Sequence, residues 1–368
     1  MKIGIDVREF ERGKHTGIGR YLLDFLNWVI DNDKKNLYIL FGNQKTEIPK
    51  NILNAKNIKF IRKKEIITIL WDQIILPFLA IREKVDIFFS PYFKGPLLLG
   101  KKMIISINDA TPLILPVNFF KKMYYLYFGR FCAKFAKKVF TLSYDAKEKI
   151  SKLMKIPKEK IKVIHLAVDK KFKVLPEEKT KKVLEKYGIN FEYILYLGGL
   201  KPHKNVESLV EAYLLLPEEI KKRFKLLIIG RISDFLVQKL KILSKKYNFK
   251  KLDNVHFLDY VTDEDLPMFF NGAFLFVFPS LCEGFGLPPL EAMACGVPVI
   301  CSNKASLPEV VGDAAIICEP TPENIKDAIE KIFEDRELYE KLKQKGIANA
   351  KRFTVDKMSK KILDFLIS

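Results

Sequence analysis

Phe278-Pro279-Ser280-Leu281-Cys282-Glu283-Gly284-Phe285-Gly286-Leu287-Pro288-Pro289-Leu290-Glu291-Ala292-Met293-Ala294-Cys295-Gly296 is the most informative stretch of this 368-residue chain. The apolar run Leu275–Pro279 reads as a strand that ends where the stretch begins. Gly284 and Gly286 mark a loop, Pro288-Pro289 opens a helix and Gly296 closes it. Glu283 therefore falls in the loop and Glu291 in the first helical turn. Proline at a helix start fixes φ without losing a useful donor, and the free N–H groups there favour an anion. A phosphate against the Gly286-Leu287 backbone, with each carboxylate accepting hydrogen bonds from vicinal hydroxyls, suits a sugar nucleotide. Taken singly, Glu283 reads as a loop acid and Glu291 as a partner of the helix dipole. The two glycines and the double proline between them favour a ligand site.

Working outward, short apolar runs alternate with longer segments of helical period. Lys2–Val7, Leu37–Phe41, Ile58–Ile61, Val85–Ser90, Met103–Ile107, Val139–Ser143 and Ile161–His165 read as strands, with a helix from about Gly19 to Ile30. The rhythm restarts with Tyr193–Leu197, Lys225–Ile229, Val255–Phe257, Leu275–Pro279, Val299–Ser302 and Ala315–Ile317. This pattern predicts an α/β protein of two Rossmann-like, doubly wound domains with parallel sheets. The predicted boundaries are an N-terminal domain over 1–170, a linker with an entry helix over 171–190 and a C-terminal domain over 191–352. Helices are expected over Pro322–Phe333 and Arg336–Arg352, and a last one within 353–368. Ligands of open α/β sheets bind beyond the carboxyl ends of strands, so two such domains are expected to face one central cleft.

Composition narrows the classes. The chain is 48% hydrophobic and 12% aromatic, which excludes a disordered protein. No apolar run reaches the roughly 18–20 residues of a membrane-spanning helix, and Asp6 comes too early for a signal peptide. The five cysteines form no C-x-x-C pair and read as reduced thiols of a cytoplasmic protein. The net charge of +20 is lopsided: residues 1–190 hold 39 Lys and Arg against 19 Asp and Glu, whereas 191–368 hold 25 of each. A basic N-terminal half accommodates nucleic acid, an anionic membrane surface or an acidic substrate.

The stretch around Glu283 and Glu291 resembles the E-x7-E signature of the retaining GT-B glycosyltransferases of family four. Val297-Pro298-Val299-Ile300, the run from Ser306 to Ala314, and Tyr196-Leu197-Gly198-Gly199-Leu200 with Lys201 to Val206 continue the likeness. Gly4-Ile5-Asp6 and Thr16-Gly17-Ile18-Gly19-Arg20-Tyr21 resemble the start of that family. The resemblance implies a GT-B fold, with the sugar nucleotide held mainly by the second domain, the acceptor mainly by the first, and a final helix crossing back to the first. It implies that Glu283 contacts the transferred sugar, Glu291 the ribose hydroxyls, and the Phe285-Gly286-Leu287 backbone the sugar and phosphate. Lys204 would neutralise the leaving diphosphate, as a point cation after a turn can. Arg231, after the strand Lys225–Ile229, is a second candidate cation.

Two departures stand out. Gly198-Gly199 occupies a segment where the family often has arginine, and Ser106-Ile107-Asn108-Asp109 has asparagine where the family commonly has histidine. Asn108 can hydrogen-bond but cannot take a proton, which makes it a positioner. Asp109 reads equally as a catalytic neighbour and as a turn cap before Thr111-Pro112. Gly17 and Gly19 open a helix after the first strand and could cradle phosphate, though the third glycine of G-x-G-x-x-G is missing. Asp31-Asn32-Asp33 and Asp263-Glu264-Asp265 look like D-x-D metal motifs but sit at a turn and a capping box. His15, His165, His203 and His256 show no ligand spacing, and neither metal nor cofactor is expected.

Phe119–Phe140 contains six basic residues and no acid, with Phe120, Tyr124, Tyr127, Phe131 and Phe135 on one helical face. It reads either as a core-packed helix with a basic back or as a helix resting on anionic lipid. The expectation is a metal-independent hexosyltransferase of polysaccharide or glycolipid assembly, similar to mannosyltransferases. It would take a GDP- or UDP-hexose and a glycan or lipid-linked acceptor, in the cytoplasm, peripheral on the inner face of the membrane. A sugar-nucleotide epimerase or phosphorylase on the same fold is the alternative. A nucleic-acid-binding protein is the weaker one, since no recognised motif or stacking platform is present and no nucleic acid is expected.

Overall fold

The computed structural model describes residues 1–11, 16–116, 118–247 and 254–368; His15 lies outside the described residues. The chain divides into two compact units, one of residues Met1–Ala167 with Val355–Ser368 and the other of Val168–Thr354. In the first unit β1 (Lys2–Asp6), β2 (Leu37–Gly42), β3 (Ile58–Arg62), β4 (Ile87–Ser90), β5 (Met103–Ser106), β6 (Lys138–Thr141) and β7 (Ile161–Val163) form one sheet in the order β3-β2-β1-β4-β5-β6-β7. In the second, β8 (Glu192–Leu197), β9 (Phe224–Ile229), β10 (Val255–Leu258), β11 (Leu275–Phe278), β12 (Val299–Ser302) and β13 (Ile316–Cys318) run β10-β9-β8-β11-β12-β13. Every paired register is parallel, for example Ile3 with Tyr38 and Ile194 with Leu226.

The reason lies in the strand composition. β4 reads Ile-Phe-Phe-Ser and β11 Leu-Phe-Val-Phe, both buried at every position. Strands apolar on both faces need helices on both faces, and parallel crossovers supply them. Each sheet reverses its winding order once, between β1 and β4 and between β8 and β11, so the loops leaving those strands diverge and open a crevice.

Two segments differ from expectation. Residues 171–190 do hold the expected entry helix, Glu177–Lys186, but instead of standing between the domains they belong to the second unit. Leu175 N–H donates to Asn271 Oδ1 at 2.8 Å and Asn271 Nδ2 returns to the Lys173 carbonyl at 3.0 Å. The segment Phe119–Phe140 is not one core-packed α-helix. It comprises helix Phe119–Met123, a π-turn at Tyr124–Phe128 and helix Gly129–Phe135, after which β6 takes the chain. Its five aligned aromatics are exposed. The D-x-D at Asp31 has the structural role expected of it: Asp33 is buried and accepts from Tyr38 Oη at 2.6 Å and Asn36 Nδ2 at 2.7 Å. At the other, Asp265 accepts from Tyr187 Oη at 2.9 Å and Asp263 pairs with Lys171.

The last helix, Val355–Ile367, belongs to the first unit, where Asp356 accepts from Trp28 Nε1 at 2.8 Å. No helix of the described residues is long and apolar enough to cross a membrane. One glycine is dictated by close approach: a Cβ on Gly230, just past β9, would lie 2.0 Å from the Gly198 carbonyl oxygen, just past β8. Gly230→Ala is therefore expected to cost at least about 2 kcal/mol, whereas Gly199→Ala, whose Cβ meets open space, should stay within about 0.5 kcal/mol in denaturant titrations.

Candidate functional site

The loops leaving β8 and β11 are stitched together. After β8 the chain passes Gly198-Gly199 and tightens into a short 3-10 turn, Pro202–Lys204, that stops at Asn205 in the left-handed region. Asn205 is buried and its amide donates to the Pro320 carbonyl at 2.8 Å and the Pro279 carbonyl at 3.3 Å. The His203 carbonyl accepts from Leu281 N–H at 2.8 Å and from Ser280 Oγ at 3.2 Å. These bonds fix the turn carrying Lys204 against the loop carrying Glu283.

The two side chains meet. Lys204 Nζ lies 2.5 Å from Glu283 Oε1, with both side chains largely buried. Lys204 Nζ also stands 5.6 Å from the centre of the Phe278 ring, which stacks on Tyr196 at 6.2 Å. Burial and, after it, the Glu283 charge push the Tyr196 hydroxyl well above its ordinary range, so it stays a neutral donor to the Gly199 carbonyl at 2.9 Å. Burial and the Lys204 ammonium hold His203 below its usual value, which keeps its imidazole neutral. The centre thus concentrates one cation and one carboxylate on an aromatic floor, at the reversal point of the sheet.

Gly286 sits before the helix Leu287–Ala294 with φ of 116°, where a side chain would be strained and its Cβ would strike Leu307 Cδ2 at 2.7 Å. Buried Ser306 donates to the Phe285 carbonyl at 2.7 Å and the Glu283 carbonyl at 3.2 Å, fixing the loop that leads into the helix. Phe285 packs its ring edge-on against Phe353 at 5.9 Å. Glu291 lies in the second helical turn, not the first, and is buried. Its charge adds to burial in pushing the Cys295 thiol up to about 12. Arg231 is exposed beyond the end of β9.

The remaining expected residues belong to the first unit. Asn108 bonds to Ser106 Oγ, while Asp109 accepts from Thr111 N–H at 2.8 Å and its carbonyl from Tyr125 Oη at 2.7 Å, which is the geometry of a turn cap. Gly17 and Gly19 begin the helix Gly17–Asn32, and Gly19 N–H donates to the Thr16 hydroxyl at 3.0 Å. Gly19 N–H therefore already serves a cap, and the pair belongs to the first unit, whereas Lys204 and Glu283 belong to the second.

The sequence reading missed Asn205 and Ser306 as the residues that hold the site, although both lie in the quoted motifs. It also missed the ends of β1 and β4. There Arg8 bonds Asp6 at 2.6 Å, Asp72 at 2.5 Å and Glu65 at 3.2 Å, and Lys94 joins Asp72 at 2.5 Å. Burial alone would lower the Arg8 guanidinium's basicity, but the three carboxylates raise it. Beside it Glu9 accepts from Thr16 Oγ1 at 2.6 Å and Tyr92 Oη at 3.0 Å. Partners so far apart in sequence leave no local spacing to read.

Comparison with known proteins adds the following. Residues 177–349 match the family model of glycosyl transferases group 1. The O-antigen chain mannosyltransferase B of Escherichia coli is 37% identical over 223 residues, 60% of this chain and 57% of that protein. The O-antigen chain mannosyltransferase RfbU of Salmonella typhimurium is 30% identical over 228 residues, 62% and 59% of the two chains. The chain thus spans less than two thirds of the length of these relatives. Among solved structures, Anabaena HepE in complex with UDP-glucose superposes with a TM-score of 0.76 at 18% identity, over 100% of this chain and 99% of that one. WaaG, a glycosyltransferase involved in lipopolysaccharide biosynthesis, gives 0.74 at 17%, over 99% of each. The fold is GT-B, with two Rossmann-like domains.

Removing the Asn205 amide should strand two carbonyls and loosen the turn under Lys204. Asn205→Ala is expected to cost about 2 kcal/mol, read as a loss of roughly 4 °C or more in melting temperature.

Proposed function

We propose, from the match of residues 177–349 to the family model of glycosyl transferases group 1, that this GT-B protein is a retaining hexosyltransferase of surface polysaccharide or glycolipid assembly. The donor is a nucleoside diphosphate hexose carrying GDP or UDP, with mannose as the first choice of sugar. The likeness to two O-antigen chain mannosyltransferases supports that choice. The acceptor is a glycan or a lipid-linked glycan, and the basic first unit meets it at an anionic membrane surface. The matched relatives are transferases, which favours transfer over the epimerase, phosphorylase and nucleic-acid alternatives.

One observation carries the reading: the Lys204–Glu283 ion pair at the carboxyl ends of β8 and β11. Without donor the ammonium rests on the carboxylate. A diphosphate arriving at the start of the helix Leu287–Ala294 offers the ammonium a stronger anionic partner. Lys204 then turns to the phosphate, and Glu283 is released to accept hydrogen bonds from the sugar hydroxyls. Glu291, on the same helix, accepts from the ribose. In the transfer, the bond from the anomeric carbon to the phosphate oxygen breaks and a bond to the acceptor oxygen forms on the same face. The acceptor proton passes to the departing diphosphate, whose growing charge Lys204 balances, with Arg231 as a second cation. Asn108 positions the acceptor hydroxyl and Asp109 orders the turn beside it, and Gly17 and Gly19 let the chain approach the ligand. This sequence of events needs no protein base.

Incubation with GDP-, UDP- and ADP-hexoses and a polyprenyl-linked glycan acceptor should release nucleoside diphosphate and give a product with retained anomeric configuration. Glu283→Ala is expected to abolish release, and Lys204→Ala to lower kcat by about 10²–10³. Wild-type protein that turns over no member of the panel, or Glu283→Ala at wild-type rate, would overturn the proposal.

A further inference from the structure

The first unit exposes large apolar side chains that its own fold does not use. In segment 66–82, Ile67, Leu70, Ile74, Phe78 and Ile81 recur at helical spacing and point outward, Ile74 at 60% and Phe78 at 64% exposure. The opposite side of the same segment, with Trp71, Leu76 and Leu79, is buried in the core. Segment 119–135 repeats the arrangement. Phe120, Tyr124, Tyr127, Phe131 and Phe135 face out, Phe120 at 79% and Tyr127 at 63%, while Cys132 and Ala133 are buried in that same core. An α-helix of a water-soluble surface has one apolar stripe, not two.

The two outward stripes adjoin. Lys94 pairs with Asp72 of the first segment, and the neighbouring Phe93 ring lies 5.6 Å from Tyr124 of the second. Gln73 Nε2 donates to the Gly95 carbonyl at 3.0 Å, and Leu97 N–H to Gln73 Oε1 at 3.2 Å. Leu98, next along, adds a 71% exposed side chain between the segments. Burial and, after it, the Asp72 charge raise the Tyr124 hydroxyl.

We propose that segments 66–82 and 119–135 together form a face that inserts Ile74, Phe78, Phe120 and Tyr127 into the headgroup–acyl boundary of an anionic phospholipid bilayer. The rim decides the occupant. Lys64, Lys84, Lys101, Lys121, Arg130 and Lys134 are exposed in and around the segments, and no acid occurs from residue 110 to 144. A bilayer of anionic lipid supplies negative charge at the rim and hydrocarbon beneath it over a face this broad. A second copy docking by the same face would set lysine against lysine, which costs rather than gains. The inference rests on the membrane reading above for location, but adds hydrophobic insertion by a segment, 66–82, in which the sequence shows no aromatic stripe.

The test is sedimentation of the full chain with vesicles of phosphatidylcholine alone or with one third phosphatidylglycerol, at about 0.1 M and about 1 M salt. Binding should require phosphatidylglycerol at first contact, and a substantial fraction should survive high salt once bound. The pairs Ile74→Glu with Phe78→Glu, and Phe120→Glu with Tyr127→Glu, should each weaken binding at least about tenfold. Exposed positions leave the fold intact, which the circular dichroism melt verifies. Phe78→Trp should shift its emission to the blue on anionic vesicles. Binding that high salt abolishes and the glutamates do not touch would overturn insertion. A dimer in sedimentation equilibrium that Phe78→Glu dissolves, with no lipid effect, would assign the face to a second copy instead. Nucleotide release by the wild type is measured separately: vesicle binding without transfer leaves the face standing and removes the enzyme reading, and transfer without vesicle binding does the reverse.

Discussion

The site depends on one ion pair held at one place in a sheet. Lys204 and Glu283 lie 79 residues apart, on loops that meet only because β8 and β11 are neighbours where the winding order reverses. A largely buried ion pair contributes little net stability, since desolvation offsets much of its attraction. Its value is positional. The ammonium is held against Glu283 and near the Phe278 ring, at the sheet's reversal point. The supporting bonds, from Asn205 to two proline carbonyls and from Ser306 to the 283–285 loop, are all to backbone. They hold the chain while leaving the two charged side chains able to exchange partners.

The second unit is electrically balanced and the first is not, and the structure gives that contrast a shape. The basic excess of residues 1–190 lies mostly in the first unit, which also exposes large apolar side chains. Within that unit the opposite chemistry appears at the carboxyl ends of β1 and β4, where acids outnumber bases around Arg8 and Lys94.

Much of this was legible in the sequence, for a physical reason. Strands of a parallel sheet carry short apolar runs, and each of the thirteen runs read as a strand overlaps one. Loops at strand ends with paired glycines and prolines announced the Glu283 region. The chain did not reveal that Glu291 is buried a turn deeper, because a proline pair marks a helix start only to within a residue or two. It did not reveal Ser306 or Asn205 as supports, since their partners are carbonyls that no side-chain pattern encodes. The stripe of Phe120, Tyr124, Tyr127, Phe131 and Phe135 was visible, but periodicity alone cannot tell an inward face from an outward one. The π-turn within it and the matching stripe of 66–82 emerged only with the fold. The Arg8 cluster was invisible because its acids come from positions 6, 65 and 72.

The central claim is that Lys204 exchanges Glu283 for a diphosphate. Titration calorimetry of GDP and UDP into wild type, Lys204→Ala and Glu283→Gln tests it most directly. The exchange predicts that Lys204→Ala loses at least about tenfold in affinity for the preferred nucleotide, whereas Glu283→Gln, which frees the ammonium, binds it as tightly or more so. Equal affinity of wild type and Lys204→Ala for both nucleotides would contradict it.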